Sequence, residues 1–131
     1  MIALDTNVLV RIFTEDDPEQ TRVAQRFMDG LTEDRPGFIC REVVLELVWV
    51  LERTYRIKRE RIADAVKGLL RSRELVVETA DDLALAIADW QEGGAGLSDR
   101  MVVAAARRAG ASPVMTFDRK AARIPGMELL G

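Results

Sequence analysis

The stretch Met1-Ile2-Ala3-Leu4-Asp5-Thr6-Asn7 decides how the rest of the chain is interpreted, because a short apolar run ends there in polar residues. Residues 2–4 have the length and composition of a buried parallel strand. From Val8 onward, apolar residues recur four positions apart, which predicts a helix. In an open α/β sheet, ligands bind outside the carboxyl ends of the strands. Asp5 therefore occupies a position at which a functional group is expected.

The composition excludes several classes of chemistry. The 131 residues, of which 48% are hydrophobic and 31% charged, fit one globular domain over residues 1–131. The absence of histidine excludes Ser-His-Asp and Cys-His catalysis and imidazole metal ligands. The single cysteine, Cys40, excludes disulfides within the chain and cysteine zinc clusters, and it fits a reducing compartment. Any catalysis must use carboxylates, hydroxyls, lysine, arginine or a metal held by oxygen.

Hydropathy and charge point to a protein of the cytoplasm. No apolar stretch approaches the ~20 residues that a membrane span needs, and we expect no secretory leader. The net charge of −3 argues against indiscriminate nucleic-acid binding. From Leu97 onward, however, the sequence contains six basic residues and only three acidic ones. Solvated helix faces account for this imbalance as readily as contact with a nucleic acid does.

Strand patterns and helix patterns alternate along the chain. The predicted strands are residues 2–4, 38–39, 75–77, 113–117 and 127–130. Helices are predicted from residue 8, between Pro18 and Gly30, over residues 41–53 and 58–72, and after Thr79 and Ser98. Such alternation predicts an α/β fold with a parallel sheet and helices on both faces, a three-layer α/β/α sandwich.

Three carboxylates have an ordinary structural explanation as well as a functional one. Asp5 and Asp118 both follow predicted strands directly, so parallel strands would bring them to one sheet edge. Each also precedes helical sequence and suits an N-cap. Asp99, or Ser98 beside it, suits the cap of the following helix, where the helix dipole favours an ionised carboxylate.

Glu46 has no such simple explanation. It lies in Val43-Val44-Leu45-Glu46-Leu47-Val48-Trp49-Val50-Leu51, where eight of nine residues are apolar and almost no polar face is visible. Because an ionised glutamate is rarely buried without a partner, Glu46 is expected to face a polar cavity or to pair with another group. We interpret the surrounding helix as a core helix in preference to a partner groove.

Carboxylates that converge at a strand-end crevice repel one another unless a cation is present. Oxygen ligands without histidine or cysteine select Mg²⁺ or Mn²⁺. Such ions activate water and stabilise phosphoryl oxygens, which is the logic of phosphodiester hydrolysis. Asp5, Glu46, Asp99 and Asp118 are therefore candidate metal ligands and catalytic groups.

Four stretches resemble, in order, the acidic motifs of PIN-domain nucleases. They are Leu4-Asp5-Thr6-Asn7-Val8-Leu9-Val10-Arg11, Leu45-Glu46-Leu47-Val48-Trp49-Val50-Leu51, Ser98-Asp99 before an alanine-rich helix, and Thr116-Phe117-Asp118. The likeness extends over residues 2–130. Within the family, the chain size and residues 55–90 are most similar to VapC-type toxins of toxin–antitoxin pairs. Two positions depart from the usual pattern: Cys40 replaces a small hydroxyl residue, and Leu97-Ser98 replaces an aromatic and a small residue.

The resemblance implies a five-stranded parallel sheet and a Mg²⁺- or Mn²⁺-dependent endoribonuclease. It implies an acidic site of Asp5, Glu46, Asp99 and Asp118, with Thr6, Asn7 and Thr116 as hydrogen-bonding groups that orient the carboxylates. It further implies a homodimer and a cognate antitoxin that occupies the groove near the site. Candidate contacts to RNA phosphates are Arg11, Arg100, Arg119 and Lys120.

Two other classes of function remain as alternatives. A phosphatase that forms an aspartyl phosphate on Asp5 would need a second acid two residues later, where Asn7 stands. A catalytically silent PIN fold that binds RNA or protein would have no physical reason to keep repelling carboxylates together. A phosphomonoester assay distinguishes the first alternative from a nuclease, and binding of a divalent cation argues against the second.

Overall fold

Strand β1 (Ile2–Ala3) pairs in parallel with β2 (Gly37–Ile39), and β2 pairs in parallel with β3 (Leu75–Val77). These pairings are seen in a computed structural model, which describes all residues, 1–131. The chain forms two compact units, Met1–Ala80 and Asp81–Gly131, which are called the first and the second unit below. In the first unit, β2 is the central strand, with Phe38 opposite Ala3 on one side and Val76 on the other.

Four helices complete the first unit: α1 (Thr6–Thr14), α2 (Pro18–Asp29), α3 (Arg41–Arg53) and α4 (Arg59–Arg71). Helix α1 packs against α2 and α3, and α3 also packs against α4. Helix α3 contributes Val44, Leu47, Val48 and Leu51 to the core. These side chains recur at three- and four-residue intervals, so one face of α3 is buried and the opposite face is left for solvent.

The second unit contains a separate parallel pair of strands. Helix α5 (Ala80–Gln91) leads into α6 (Leu97–Arg108), strand β4 (Val114–Thr116), the short 3₁₀ helix Ala121–Arg123 and strand β5 (Met127–Leu129). Strands β4 and β5 pair in parallel. The small core beneath them consists of Ala95, Val103, Ala121, Ile124 and Met127, with Val114 packed against it.

The α/β class and the five strand positions predicted from the sequence are confirmed, and every strand pair is parallel. The observed pairings form one three-stranded and one two-stranded sheet. The union of all five strands in one sheet, the three-layer sandwich and a single domain over residues 1–131 stay predictions. No helix has the length and apolar character needed to cross a membrane.

Several helix ends lie where the sequence predicts them. Asp17 is the N-cap of α2 and accepts a hydrogen bond of 3.1 Å from the N–H of Gln20, with Pro18 as the first helical residue. Gly30 follows the last residue of α2. The sequence also predicts an apolar stripe on α2 that includes Val23, Ala24 and Phe27; of these, Ala24 is buried, whereas Val23 and Phe27 are exposed.

The starts of α5 and α6 differ from the caps that the sequence suggests. Residues 79–82 resemble a capping box with aspartate in place of the usual glutamate, but the φ of Thr79 is +50°, and its hydroxyl donates to the carbonyl oxygen of Glu78 at 2.7 Å. Neither Ser98 nor Asp99 caps α6, because the helix begins one residue before Ser98 and Gly96 occupies the cap position without a side-chain bond. Both residues instead lie in the first turn of the helix.

Candidate functional site

Asp5 follows β1 closely and begins α1. Its side chain accepts a hydrogen bond of 2.8 Å from the N–H of Thr6, so the structural explanation of Asp5 as an N-cap is confirmed. Asp5 is exposed, and no lysine or arginine forms an ion pair with it. Its carboxylate therefore remains available to a cation from solvent while it holds the start of α1.

Thr6 and Asn7 differ sharply in their surroundings. Thr6 is 3% exposed, and its buried hydroxyl oxygen has no hydrogen-bond partner. Asn7 is exposed and lies in a groove of about 730 Å³ lined by residues of β1, α1 and α2. The Thr6 backbone, not its hydroxyl, orients Asp5 in this structure. The predicted role of Asn7 stays a prediction.

Glu46 lies on the exposed face of α3. Apart from Arg41 in the first turn, the exposed residues of this helix are spaced by four, three and four positions and form one stripe: Glu42, Glu46, Trp49 and Arg53. The expectation of a helix with almost no polar face is therefore wrong, because the neighbouring helices bury only the opposite face. Glu46 points to solvent without an ion-pair partner. The Oε2 atom of Glu42, in contrast, lies 4.0 Å from the Nε atom of Arg41.

The start of α3 is held by a distant residue. Glu78, just beyond β3, accepts a hydrogen bond of 2.9 Å from the N–H of Arg41 through its Oε1 atom. Cys40, at the N-cap position, makes no side-chain cap bond. This contact satisfies one of the free N–H groups at the start of α3 and fixes the segment that leads to Glu46.

In the second unit, Asp99 and Asp118 have different environments. Asp99 is half-buried in the first turn of α6. Asp118 Oδ1 accepts hydrogen bonds from the N–H groups of Lys120 at 2.8 Å and Ala121 at 3.2 Å. Thr116 accepts a bond of 3.0 Å from the Asp118 N–H through its hydroxyl oxygen. Thr116 thus positions the Asp118 backbone and does not contact its carboxylate.

The candidate basic contacts fall into two groups. Arg11 is already engaged, since Nη1 lies 3.2 Å from Asp16 Oδ1 and Nε donates to Gln20 Oε1 at 2.7 Å. Arg100 donates from Nη2 to the Gly93 carbonyl oxygen at 3.0 Å, while its buried Nε has no partner. It lines a cavity of about 450 Å³ together with Arg107 and Arg108. Arg119 and Lys120 are exposed and form no ion pair.

Hydrogen bonds shift the pKa values of Asp16 and Arg108. The pKa of Asp16 is lowered, first by a hydrogen bond of 2.7 Å from the Tyr55 hydroxyl and then by one of 2.9 Å from Thr14. The pKa of Arg108 is raised, chiefly by its hydrogen bonds to Asp82, which include an Nη2–Oδ1 distance of 2.9 Å. Both pairs are polar contacts that hold neighbouring segments together.

The candidate metal ligands are carboxylates only, which suits Mg²⁺ or Mn²⁺ in chemical type. Within neither unit do three or more aspartate, glutamate or cysteine side chains form a group arranged to hold a metal ion. The first unit carries Asp5 and Glu46, and the second carries Asp99 and Asp118. Sequence reasoning missed the exposure of Trp49 and Arg53 beside Glu46; their spacing of three and seven residues from Glu46 was the available signal.

Parallel strands that alternate with helices define an α/β protein. The sequence pattern of the PIN domain matches residues 2–127, and the chain belongs to that family. The VapC ribonuclease of Aquifex aeolicus (strain VF5) is 27% identical over 120 residues, which is 92% of this chain and 89% of that protein.

Proposed function

We propose that the protein is a metal-dependent endoribonuclease that hydrolyses RNA phosphodiester bonds, and that it is the toxin of a type II toxin–antitoxin pair. Membership of the PIN-domain family and the similarity to a VapC ribonuclease support this assignment. Residues 1–131 then form one nuclease domain, which the family match over residues 2–127 supports. Its five parallel strands form one sheet. RNA is the substrate, and a cognate antitoxin and a second copy are the partners.

One observation about this chain carries the proposal. None of the four carboxylates Asp5, Glu46, Asp99 and Asp118 forms an ion pair with lysine or arginine. Asp16 and Asp82, in contrast, are each paired with an arginine. Unneutralised carboxylates after strands β1 and β4 and on the exposed stripe of α3 are available to bind a cation.

The residues that would hold Mg²⁺ or Mn²⁺ are these same four, and the ion supplies a Lewis acid for the phosphoryl group and for the attacking water. The chain contributes orientation: Asp5 is held by the Thr6 N–H, and Asp118 by the N–H groups of Lys120 and Ala121. Carboxylates held in this way need little reorganisation when a cation binds. Arg119 and Lys120, exposed directly after Asp118, are placed to contact a phosphate.

Calorimetric titration of Mn²⁺ tests the metal requirement without knowledge of the RNA target. We expect saturable binding to the wild-type protein and its loss in Asp5→Asn. Asp64→Asn is the matched control, because Asp64 is an exposed and unpaired carboxylate on α4 that has no proposed role. We also expect cleavage of a mixed RNA sample with Mg²⁺ and none with a chelator. Absence of both binding and cleavage in the wild-type protein would contradict the proposal and favour a silent binding module.

A further inference from the structure

The exposed stripe of α3 carries more than Glu46. Trp49, one turn further along, is 58% exposed, and Arg53 follows one turn after that. With a helical rise of about 1.5 Å per residue, Trp49 lies about 4.5 Å and Arg53 about 10 Å beyond Glu46 along the helix axis. A carboxylate, an aromatic ring and a guanidinium group therefore follow one another along a single line on the surface.

Core packing does not explain the position of Trp49. The neighbouring residues Val48 and Leu51 are buried and supply the contacts of α3 with the rest of the first unit. The other tryptophan, Trp90, is completely buried. A large aromatic ring that the core does not use, next to a candidate catalytic carboxylate, is placed to contact a ligand.

The unpaired guanidinium of Arg53, at the end of the stripe, favours a nucleic-acid strand as that ligand. Glu42, at the start of the stripe, lies 4.0 Å from Arg41. Arg53 has no carboxylate within ion-pair distance, so its guanidinium is available to a phosphate. Aromatic rings bind single-stranded RNA by stacking on unpaired bases, and adjacent arginines contact the backbone. The combination of Trp49 and Arg53 has this chemistry.

We propose that Trp49 stacks on a base of single-stranded RNA and that Arg53 contacts a neighbouring phosphate, so that α3 presents the strand to Glu46. The inference rests on the proposed ribonuclease function and adds a substrate-binding surface to it. Because every base has a π-face, stacking on Trp49 selects for unpaired RNA more than for a particular sequence. The substrate class is therefore a single-stranded or looped segment of RNA.

Intrinsic fluorescence tests this surface directly, because only one of the two tryptophans is exposed. Single-stranded oligoadenylate is titrated into the protein in the presence of a chelator, with acrylamide accessibility measured at each point. We expect the RNA to quench Trp49 and to shield it from acrylamide, and a blunt RNA duplex to do neither. Trp49→Ala should weaken binding of the single strand about 5- to 150-fold, whereas Trp49→Phe should retain most of it.

Further variants separate the two contacts. Arg53→Gln should reduce the dependence of binding on salt by about one unit of slope. Leu85→Ala is the matched control, because Leu85 is 72% exposed on α5 and has no proposed role. In cleavage assays with metal, Trp49→Ala should raise KM and leave kcat nearly unchanged, as expected for lost substrate binding.

Two results would overturn the inference while the nuclease function stands. In the first, the wild-type protein cleaves RNA, but RNA does not quench Trp49 and Trp49→Ala has the same KM as the wild type. In the second, Trp49 is already shielded from acrylamide in the free protein, and Trp49→Ala converts a dimer to a monomer. The second result would assign the stripe to contact with another copy of the chain. A wild-type protein that neither binds nor cleaves RNA would instead overturn the proposed function itself.

Discussion

The carboxylate of Asp5 accepts a hydrogen bond of 2.8 Å from the N–H of Thr6, so one side chain both begins helix α1 and presents an unpaired acidic group. The capping role needs only an oxygen acceptor, which asparagine also provides. The proposed catalytic role needs the negative charge. Substitution by asparagine or by alanine therefore separates the two roles, because only alanine removes the cap.

We predict that Asp5→Ala lowers the free energy of unfolding by about 1 kcal/mol and that Asp5→Asn changes it by only a few tenths. Urea unfolding monitored by circular dichroism measures both variants. Equal destabilisation by the two substitutions would show that the charge of Asp5, and not its role as an acceptor, stabilises α1.

Tyr55→Phe is predicted to raise the pKa of Asp16, because it removes the hydrogen bond that contributes most to the lowered value. A carboxyl whose pKa is lower in the folded state stabilises the fold above the unfolded pKa, and this contribution is lost as the pH falls through the folded pKa. The stability difference between wild type and variant should therefore be largest at neutral pH and should shrink in acid. NMR titration of Asp16 measures the shift, and an unchanged midpoint would contradict the assignment.

Alanine at two glycines is predicted to have opposite effects. A Cβ at Gly37, in β2, would lie 2.6 Å from Leu4 Cδ1, so Gly37→Ala forces side chains to move and destabilises the fold by about 1–3 kcal/mol. Gly68 lies inside α4 with nothing within 4 Å of its added Cβ, so Gly68→Ala stabilises by about 1 kcal/mol. Thermal unfolding of both variants tests the pair, and destabilisation by Gly68→Ala would show that α4 is not packed as described.

Substitutions at two adjacent residues of α3 are predicted to have different effects: one lowers stability and the other lowers activity. Leu47 is completely buried, so Leu47→Ala should cost about 2–5 kcal/mol of unfolding free energy. Glu46 is exposed, so Glu46→Gln should change stability by no more than about 0.5 kcal/mol while abolishing RNA cleavage. Chemical denaturation and a cleavage assay of the same preparations test this. Large destabilisation by Glu46→Gln would mean that the glutamate has a structural partner.

The sequence was sufficient for the elements and for the order of the candidate acids. The bounds of α3, Arg41–Arg53, and of β3, Leu75–Val77, are those predicted, because apolar runs and the residues between them mark both ends. The cap at Asp17 was predictable for a similar reason, since Asp-Pro is a strong local signal.

Features that depend on distant contacts were not predictable. Eight of nine residues around Glu46 are apolar, so the pattern could not indicate which face α1 and α4 would bury, and the exposure of Trp49 was missed. The bond from Arg41 to Glu78 joins residues 37 positions apart, which no local motif reveals. The start of α6 was misplaced because several neighbouring residues were equally suitable caps and the backbone selected Gly96.

The most direct test of the central claim is a comparison of RNA cleavage by wild-type protein and by Asp5→Asn in Mg²⁺, with both proteins shown to unfold at the same denaturant concentration. We predict cleavage by the wild type that a chelator abolishes, and no cleavage by the variant, whose N-cap is intact and whose charge is gone. Undiminished cleavage by Asp5→Asn would contradict the account, because it would show that Asp5 is only the cap of α1.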